Sequence, residues 1–289
     1  MHEESVVGRI LTCPPEPRLD RRLLLQFVLQ RSHAWLASHP EYVLQPAELT
    51  QFRQLLALRE QGQPMAYLLG VREFHGLELA VSRSVLIPRP ETEGLVDWAM
   101  ELLPEHSNAH VLDMGTGSGA IAVSLLYRRP ALHITATDIS TSALEIARSN
   151  ARRWQPAGSH PIDFHVSNWF SGLPQQPPHD LILSNPPYVK NDDPHLTQGD
   201  VRHEPGLALK GGTDGMDALR VLIVESPDHL RPGGWLLLEH GYDQGASCRE
   251  LLKSAGFSCI TTRGDLAGIS RLTGGCHPSG CCLPPHDRD

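Results

Sequence analysis

His110-Val-Leu-Asp-Met-Gly-Thr-Gly-Ser-Gly119 decides how this chain is read. Its apolar start reads as a strand that turns sharply into a helix beginning near Ala120. The glycines permit the tight turn and let a ligand approach the backbone, while the helix start offers free N–H groups. A dinucleotide fingerprint needs G-x-G-x-x-G, whereas here the spacing is G-x-G-x-G behind the acidic Asp113. A pyrophosphate cofactor is therefore disfavoured. Asp113 would repel an anion at this turn and welcome a cationic amino group.

Working outward, strand and helix patterns alternate from Ala109 onward. His110-Val-Leu-Asp113, His133-Ile-Thr-Ala-Thr137, residues 162–166, Leu181-Ile-Leu183 and Gly234-Trp-Leu-Leu-Leu238 read as strands, and residues 121–126, 143–151 and 218–224 as helices. Such alternation implies an α/β fold, a doubly wound, mostly parallel sheet with helices on both faces. Ligands on such sheets bind beyond the carboxyl ends of the strands, so the residues after each strand share one crevice. Asp138 follows the second strand, about 20 residues beyond the glycine loop, where a carboxylate can accept two ribose hydroxyls. It can equally serve as a helix N-cap beside Ser140 and Thr141. Trp169-Phe170 follows the next strand and offers either a face for adenine or two core residues.

Asp180-Leu-Ile-Leu-Ser-Asn-Pro-Pro-Tyr188 is a buried strand ending in a turn that cannot extend the ladder, because neither proline has an N–H. The turn presents the Asn185 side-chain oxygen and backbone carbonyls as acceptors, with Tyr188 as an aromatic wall. That suits a planar group bearing an NH2; a plain strand-ending turn is the alternative.

Ahead of this region, residues 19–62 carry apolar positions at steps of three and four, broken at Pro40 and Pro46, and read as a small bundle of short helices. It contains no motif with chemistry of its own and serves either partner recognition or packing. Phe74-His-Gly-Leu-Glu-Leu-Ala-Val81 and Val85-Leu-Ile87 read as a hairpin across Ser82-Arg-Ser84. The expected organisation is a helical bundle over residues 1–73, a hairpin linker over 74–90, a catalytic domain over 91–273 and a breaker-rich, disordered tail over 274–289. In that tail Cys276, His277, Cys281, Cys282 and His286 lack the spacing of a standard C-x2-C zinc pair, so no metal site is expected. The six cysteines make no disulfide framework in a chain of 289 residues. With a net charge of −8 there is no overall basic field to hold nucleic acid. No apolar run approaches the ~20 residues of a membrane span and the first residues are acidic, so a cytoplasmic protein is expected.

Asp113, the glycine loop, Asp138, Trp169 and the Asn185-Pro-Pro-Tyr188 turn together resemble the class I methyltransferases that use S-adenosylmethionine. The four-residue turn is shared by amino-methyltransferases of DNA and by protein glutamine methyltransferases. Gln63-Pro-Met-Ala-Tyr-Leu-Leu-Gly70, Leu86-Ile-Pro-Arg-Pro-Glu-Thr-Glu93, His203-Glu-Pro205 and Asp265-Leu-Ala-Gly-Ile269 narrow the likeness: residues 19–272 resemble the release factor glutamine methyltransferases of the HemK type. The tail and Met65 depart from the family pattern. The resemblance implies that Gly115, Thr116, Gly117, Ser118, Gly119, Asp138, Trp169 and Asn185 hold S-adenosylmethionine. It implies that Asn185 and Pro186 accept the N–H hydrogens of a substrate glutamine with Pro187 and Tyr188 packed beside it, and that Arg89 positions the cofactor's far end or the adjacent loop. The implied partner is a peptide chain release factor. Competing readings are an amino-methyltransferase of nucleic acid, an enzyme acting on a ribosomal-protein glutamine, and a cofactor-binding scaffold without catalysis. The loop over residues 191–215, polar and rich in breakers, is expected to order over the substrate.

Overall fold

The computed structural model describes residues 5–13 and 18–278. These divide into two compact units, one running to Val71 and including Gln198–His203, the other running from Arg72 and taking the remainder.

The first unit holds α1 (Val7–Thr12), α2 (Arg18–Leu29), α3 (His33–Ser38), α4 (Pro46–Glu60) and α5 (Met65–Leu69). Their starts follow from local chemistry. The Ser32 hydroxyl accepts the Trp35 N–H at 3.2 Å ahead of α3, and α4 begins with Pro46 while the Glu48 carboxylate accepts the Gln45 N–H at 2.7 Å. Ile10, Leu24, Leu25, Leu36, Phe52 and Leu68 form its core. Arg59 donates to Asp20 at 2.7 Å and to Asp200 at 2.9 Å, and Arg202 donates to the Gln61 carbonyl at 2.8 Å, which ties the segment Gln198–His203 into this unit.

The chain enters the second unit within β1 (Val71–Phe74), which pairs with β2 (Leu77–Ala80) as a two-stranded sheet. Its turn therefore comes earlier than the hairpin expected across Ser82-Arg-Ser84, and residues 85–87 are not a strand. The reason lies in His75 and Gly76, both left-handed with φ of 49° and 81°, the backbone of a tight hairpin turn that matches strand twist. Helix α6 (Glu93–Leu102) follows.

Seven strands form the main sheet: β3 (His110–Met114), β4 (His133–Asp138), β5 (Asp163–Val166), β6 (His179–Ser184), β7 (Leu230–Glu239), β8 (Ser258–Gly264) and β9 (Ser270–Cys276). Their order is β5-β4-β3-β6-β7-β9-β8, parallel except for β9, which is antiparallel to both neighbours. Helices α7 (Ala120–Arg128), α8 (Thr141–Trp154), α9 (Asp217–Glu225) and α10 (Gly245–Ser254) complete the fold. The alternation of strand side chains sorts the core into two layers. Val111, Leu181, Leu183 and Leu237 pack with Leu95, Trp98 and Leu125 from α6 and α7; Leu112, Met114, Ile182, Leu236 and Leu238 pack with Leu219, Leu222, Cys248 and Leu252 from α9 and α10. The expected doubly wound α/β sheet is thus present. Cys248 and Cys276 are buried, while Cys13 and Cys259 are exposed.

Gly274, Gly275 and Cys276, assigned from the sequence to a disordered tail, instead complete β9 between β7 and β8. Their breaker character has a packing cause, because a Cβ on Gly274 would lie 2.5 Å from Leu237 Cδ2 and 2.8 Å from the Leu236 carbonyl oxygen. Cys281, Cys282 and His286 lie outside the described residues. Among the described residues no helix is long and apolar enough to cross a membrane. Gly274→Ala should destabilise the protein by about 1–3 kcal/mol through overpacking, read as a lower midpoint in urea unfolding; an unchanged midpoint would refute this packing argument.

Candidate active site

Parallel pairing sets Met114 level with both Thr137 and Ser184, and Ser184 level with Leu238. Gly115, Asp138, Asn185 and Glu239 are thereby delivered to one edge of the sheet. The chain leaves β3 toward β4 on one side and β6 lies on the other, so this edge is a topological switch point.

The glycine loop follows β3. Gly115, Gly117 and Gly119 take φ of 70°, 56° and 80°, values that residues with a side chain rarely adopt. The Thr116 N–H bonds the Thr137 carbonyl and the Gly119 N–H bonds the Thr116 carbonyl, each at 2.8 Å. Asp113 is fully buried, and its Oδ2 accepts the Thr116 hydroxyl at 2.6 Å and the Ala122 N–H at 3.2 Å. Burial pushes its carboxyl up to about 7. Asp113 thus holds the loop to the first turn of α7 and is not in the wall of the adjacent cavity, where the sequence reading set it against the ligand.

That cavity, of about 320 Å³, is lined by Gly115, Thr116, Gly117, Ser118, Asp138, Trp169, Asn185 and Pro187, together with Val85, Pro88, Thr92, Ile139 and Leu207. Gly119, Pro186 and Tyr188 lie outside its wall. Gly119 serves packing instead, since a Cβ there would come within 3.1 Å of the Ala147 Cβ.

Asp138 accepts the Gly117 N–H and the Ser140 N–H, both at 2.9 Å. It is not the helix cap: Ser140 fills that role for α8, its hydroxyl accepting the Ala143 N–H at 3.2 Å. Burial raises the Asp138 pKa, opposed by its backbone hydrogen bonds. A carboxylate has about four acceptor positions, so capacity for further hydroxyls remains. The two readings of Trp169-Phe170 divide between the residues. Trp169 lines the cavity beside Gly115, while Phe170 enters the core and stacks on His229 at 4.4 Å.

After β6, the Asn185 side-chain NH2 donates to the Thr92 hydroxyl oxygen at 2.9 Å. The Tyr188 hydroxyl donates to Glu239 Oε1 at 3.0 Å, and Gln244 Nε2 donates to the Tyr188 carbonyl at 3.0 Å. Glu239, at the end of β7, is fully buried. Desolvation pushes it up to about 7 against the hydrogen bond from Tyr188 and the influence of the nearby Thr92 hydroxyl, and its Oε2 has no hydrogen-bond partner. Behind the turn, Gly211 leaves room that a side chain would fill, its Cβ falling 2.6 Å from the Pro187 carbonyl oxygen.

The stretch before α6 is anchored from the loop over residues 191–215. Glu204, whose side chain is wholly buried, pairs with the Arg89 guanidinium and accepts the Ile87 N–H at 3.0 Å. Arg89 is thereby tied to this loop through Glu204. Sequence reading missed the roles of Thr92, Glu204 and Glu239. For Glu239 a signal existed, an acid closing an apolar strand just as Asp113 does in β3. Among the described residues no group of three or more metal-ligating side chains gathers. Glu204→Ala should release the segment around Ile87, seen as loss of hydrogen-exchange protection at the Ile87 amide by about 10-fold or more; retained protection would refute the anchoring role.

Comparison with known proteins fits this architecture. Residues 11–70 match the PrmC N-terminal domain and residues 95–202 the methyltransferase small domain. Release factor glutamine methyltransferase of Bordetella pertussis is 47% identical over 271 residues, 94% of this chain and 99% of its own length. That of Coxiella burnetii is 42% identical over 269 residues, 93% and 95% of the two chains. A methyltransferase from Pyrococcus furiosus, 20% identical, superposes with a TM-score of 0.52 over 78% of this chain and 98% of its own, and shares the fold. Relatives this similar over nearly the whole length establish that the chain belongs to the release factor glutamine methyltransferases.

Proposed function

We infer that this protein methylates the side-chain amide nitrogen of the glutamine in the Gly-Gly-Gln motif of peptide chain release factors, using S-adenosylmethionine, in the cytoplasm. The names of its relatives support the substrate, and the cavity supports the cofactor. Gly115 has a bare backbone beside the Trp169 ring, Asp138 keeps acceptor capacity for a ribose, and Thr116, Gly117 and Ser118 complete a wall without cationic side chains. A positively charged ligand is therefore not opposed. When bound, S-adenosylmethionine supplies a methyl group already activated by its positive sulfur.

One observation carries the choice of substrate chemistry: the Asn185 NH2 is engaged by Thr92, which leaves Oδ1 as the part of that amide able to accept from a ligand in the cavity that Asn185 lines. A carboxamide nitrogen is a poor nucleophile because its lone pair is delocalised, so the enzyme must orient it. Asn185 Oδ1 and the Pro186 carbonyl accept hydrogen bonds from its two N–H groups and aim the nitrogen, one of whose protons is lost to solvent as the new N–C bond replaces the methyl–sulfur bond; Pro187 and Tyr188 restrict the turn. Alignment of this kind supplies roughly 7–11 kcal/mol of barrier lowering. The N-terminal helical unit is assigned to recognition of the protein substrate. A chain of net charge −8 does not favour nucleic acid as the substrate.

Asn185→Ala should lower methyl transfer on the order of 10²- to 10³-fold while cofactor affinity stays nearly unchanged. Mass spectrometry of a release factor after incubation checks the first effect, and full activity in this variant defeats the mechanism. Asp138→Ala should weaken S-adenosylmethionine binding by about 10- to 100-fold in calorimetric titration, and unchanged affinity would remove Asp138 from the cofactor site.

A further inference from the structure

We propose that Thr92 and Glu239 are positioning residues that fix the rotation of the Asn185 amide, holding its oxygen rather than its NH2 toward the cavity. This rests on the reading that Asn185 Oδ1 accepts from the substrate amide. An amide side chain has two ends of almost equal shape, so its environment must decide which one faces the substrate. Thr92 precedes α6 in the N-cap place, yet its side chain makes no capping bond. Its hydroxyl oxygen accepts from Asn185 Nδ2 at 2.9 Å instead.

A hydroxyl has one hydrogen, and whichever group takes it settles what the oxygen can do elsewhere. The Tyr188 hydroxyl donates to Glu239 Oε1 at 3.0 Å, while Glu239 Oε2 is buried with no hydrogen-bond partner and the nearby Thr92 hydroxyl is one of the groups that favour the ionised carboxylate. An ionised carboxylate only accepts, so a hydrogen shared between Thr92 and that open Oε2 comes from Thr92, which leaves the Thr92 oxygen to receive the Asn185 NH2. The chain of bonds therefore has one direction, from Asn185 through Thr92 to Glu239. With Glu239 protonated, the carboxyl can donate to Thr92, Thr92 can donate to Asn185, and the amide has reason to turn over. The charged groups acting on Glu239 are Glu91, ahead of α6, which favours protonation, and Arg271, on β9, which opposes it. Tyr188 stays protonated, its pKa raised by burial and by Glu239.

The test has one arm that needs no substrate. In protein labelled with ¹⁵N-asparagine, the Asn185 side-chain NH2 protons should be protected from exchange in the wild type and in Thr92→Ser, and lose that protection in the near-isosteric Thr92→Val. Equal protection in all three overturns the proposal. In the second arm, Thr92→Val and Glu239→Gln should lower kcat on a release factor by about 10- to 100-fold, with cofactor Kd changed by less than about 3-fold and Thr92→Ser close to wild type. A variant kcat equal to wild type, or a loss carried mainly by cofactor affinity, overturns it. If wild-type protein fails to methylate a release factor while the exchange pattern appears as described, the substrate reading fails and the positioning role stands.

Discussion

The parallel register of β3 with β4 and β6 is the constraint on which the site depends. Because Met114 is level with Thr137 and Ser184, the residues that follow three strands distant in sequence must emerge together. No loop has to search for its place. Strands β3 and β6 are buried on both faces, and a slip of one residue would exchange Leu112, Met114 and Ile182 with Val111, Asp113 and Leu183. Such a slip would turn Asp113 from the turn of α7 into the opposite core layer, so hydrophobic packing and the position of the glycine loop are set by the same register.

Buried carboxylates do the fine adjustment at that edge. Asp113, Glu204 and Glu239 are each almost or wholly withdrawn from solvent, and each receives hydrogen bonds from groups that lie far apart in the chain or at a tight turn. Removing an ionised group from water is expensive unless its lone pairs are filled by donors with good geometry. Asp113 Oδ1 and Glu239 Oε2 have no hydrogen-bond partner, so the donors that do reach these buried carboxyl groups matter the more: displacing Thr116, Ile87 or Tyr188 would remove one of them from the glycine loop, the stretch before α6 or the Asn185 turn. The raised values at Asp113 and Glu239 reflect the same desolvation.

What the sequence disclosed, and what it hid, follow from the range of the interactions. The alternation of strands and helices, the glycine turn, the cavity positions of Asp138 and Trp169, and the end of β6 at Asn185 are all written within a few residues of each other and were legible. Thr92 and Asn185, Arg89 and Glu204, and Tyr188 and Glu239 are partners across long separations, and nothing in the local pattern of either member names the other. The hairpin was misplaced because His75-Gly76 is a less familiar turn pair than a run of serines and arginine, although its backbone is the better match to strand twist. Gly274 and Gly275 mislead for a related reason. Glycine reads as a breaker in isolation, whereas here it is the only residue that fits against Leu237 and the Leu236 carbonyl.

Trp169 shows how far the fold goes to shape this cavity. A residue with a large side chain at φ of 51° stores on the order of 1–3 kcal/mol of backbone strain, and it persists only where its surroundings over-determine it. Ser167 provides that restraint: its hydroxyl donates to the Trp169 carbonyl and accepts the Gly172 N–H at 2.9 Å, closing a short helical turn around the strained residue. Phe170 then fixes the segment in the core. The left-handed backbone at Trp169 lets two consecutive aromatics serve different surroundings, Phe170 against His229 and Trp169 against the bare backbone of Gly115. A side chain on Gly115 would meet both the left-handed φ and the Trp169 ring, its Cβ 3.6 Å from the ring edge. The left-handed backbone at both Gly115 and Trp169 thus brings the two residues side by side in one wall of the cavity.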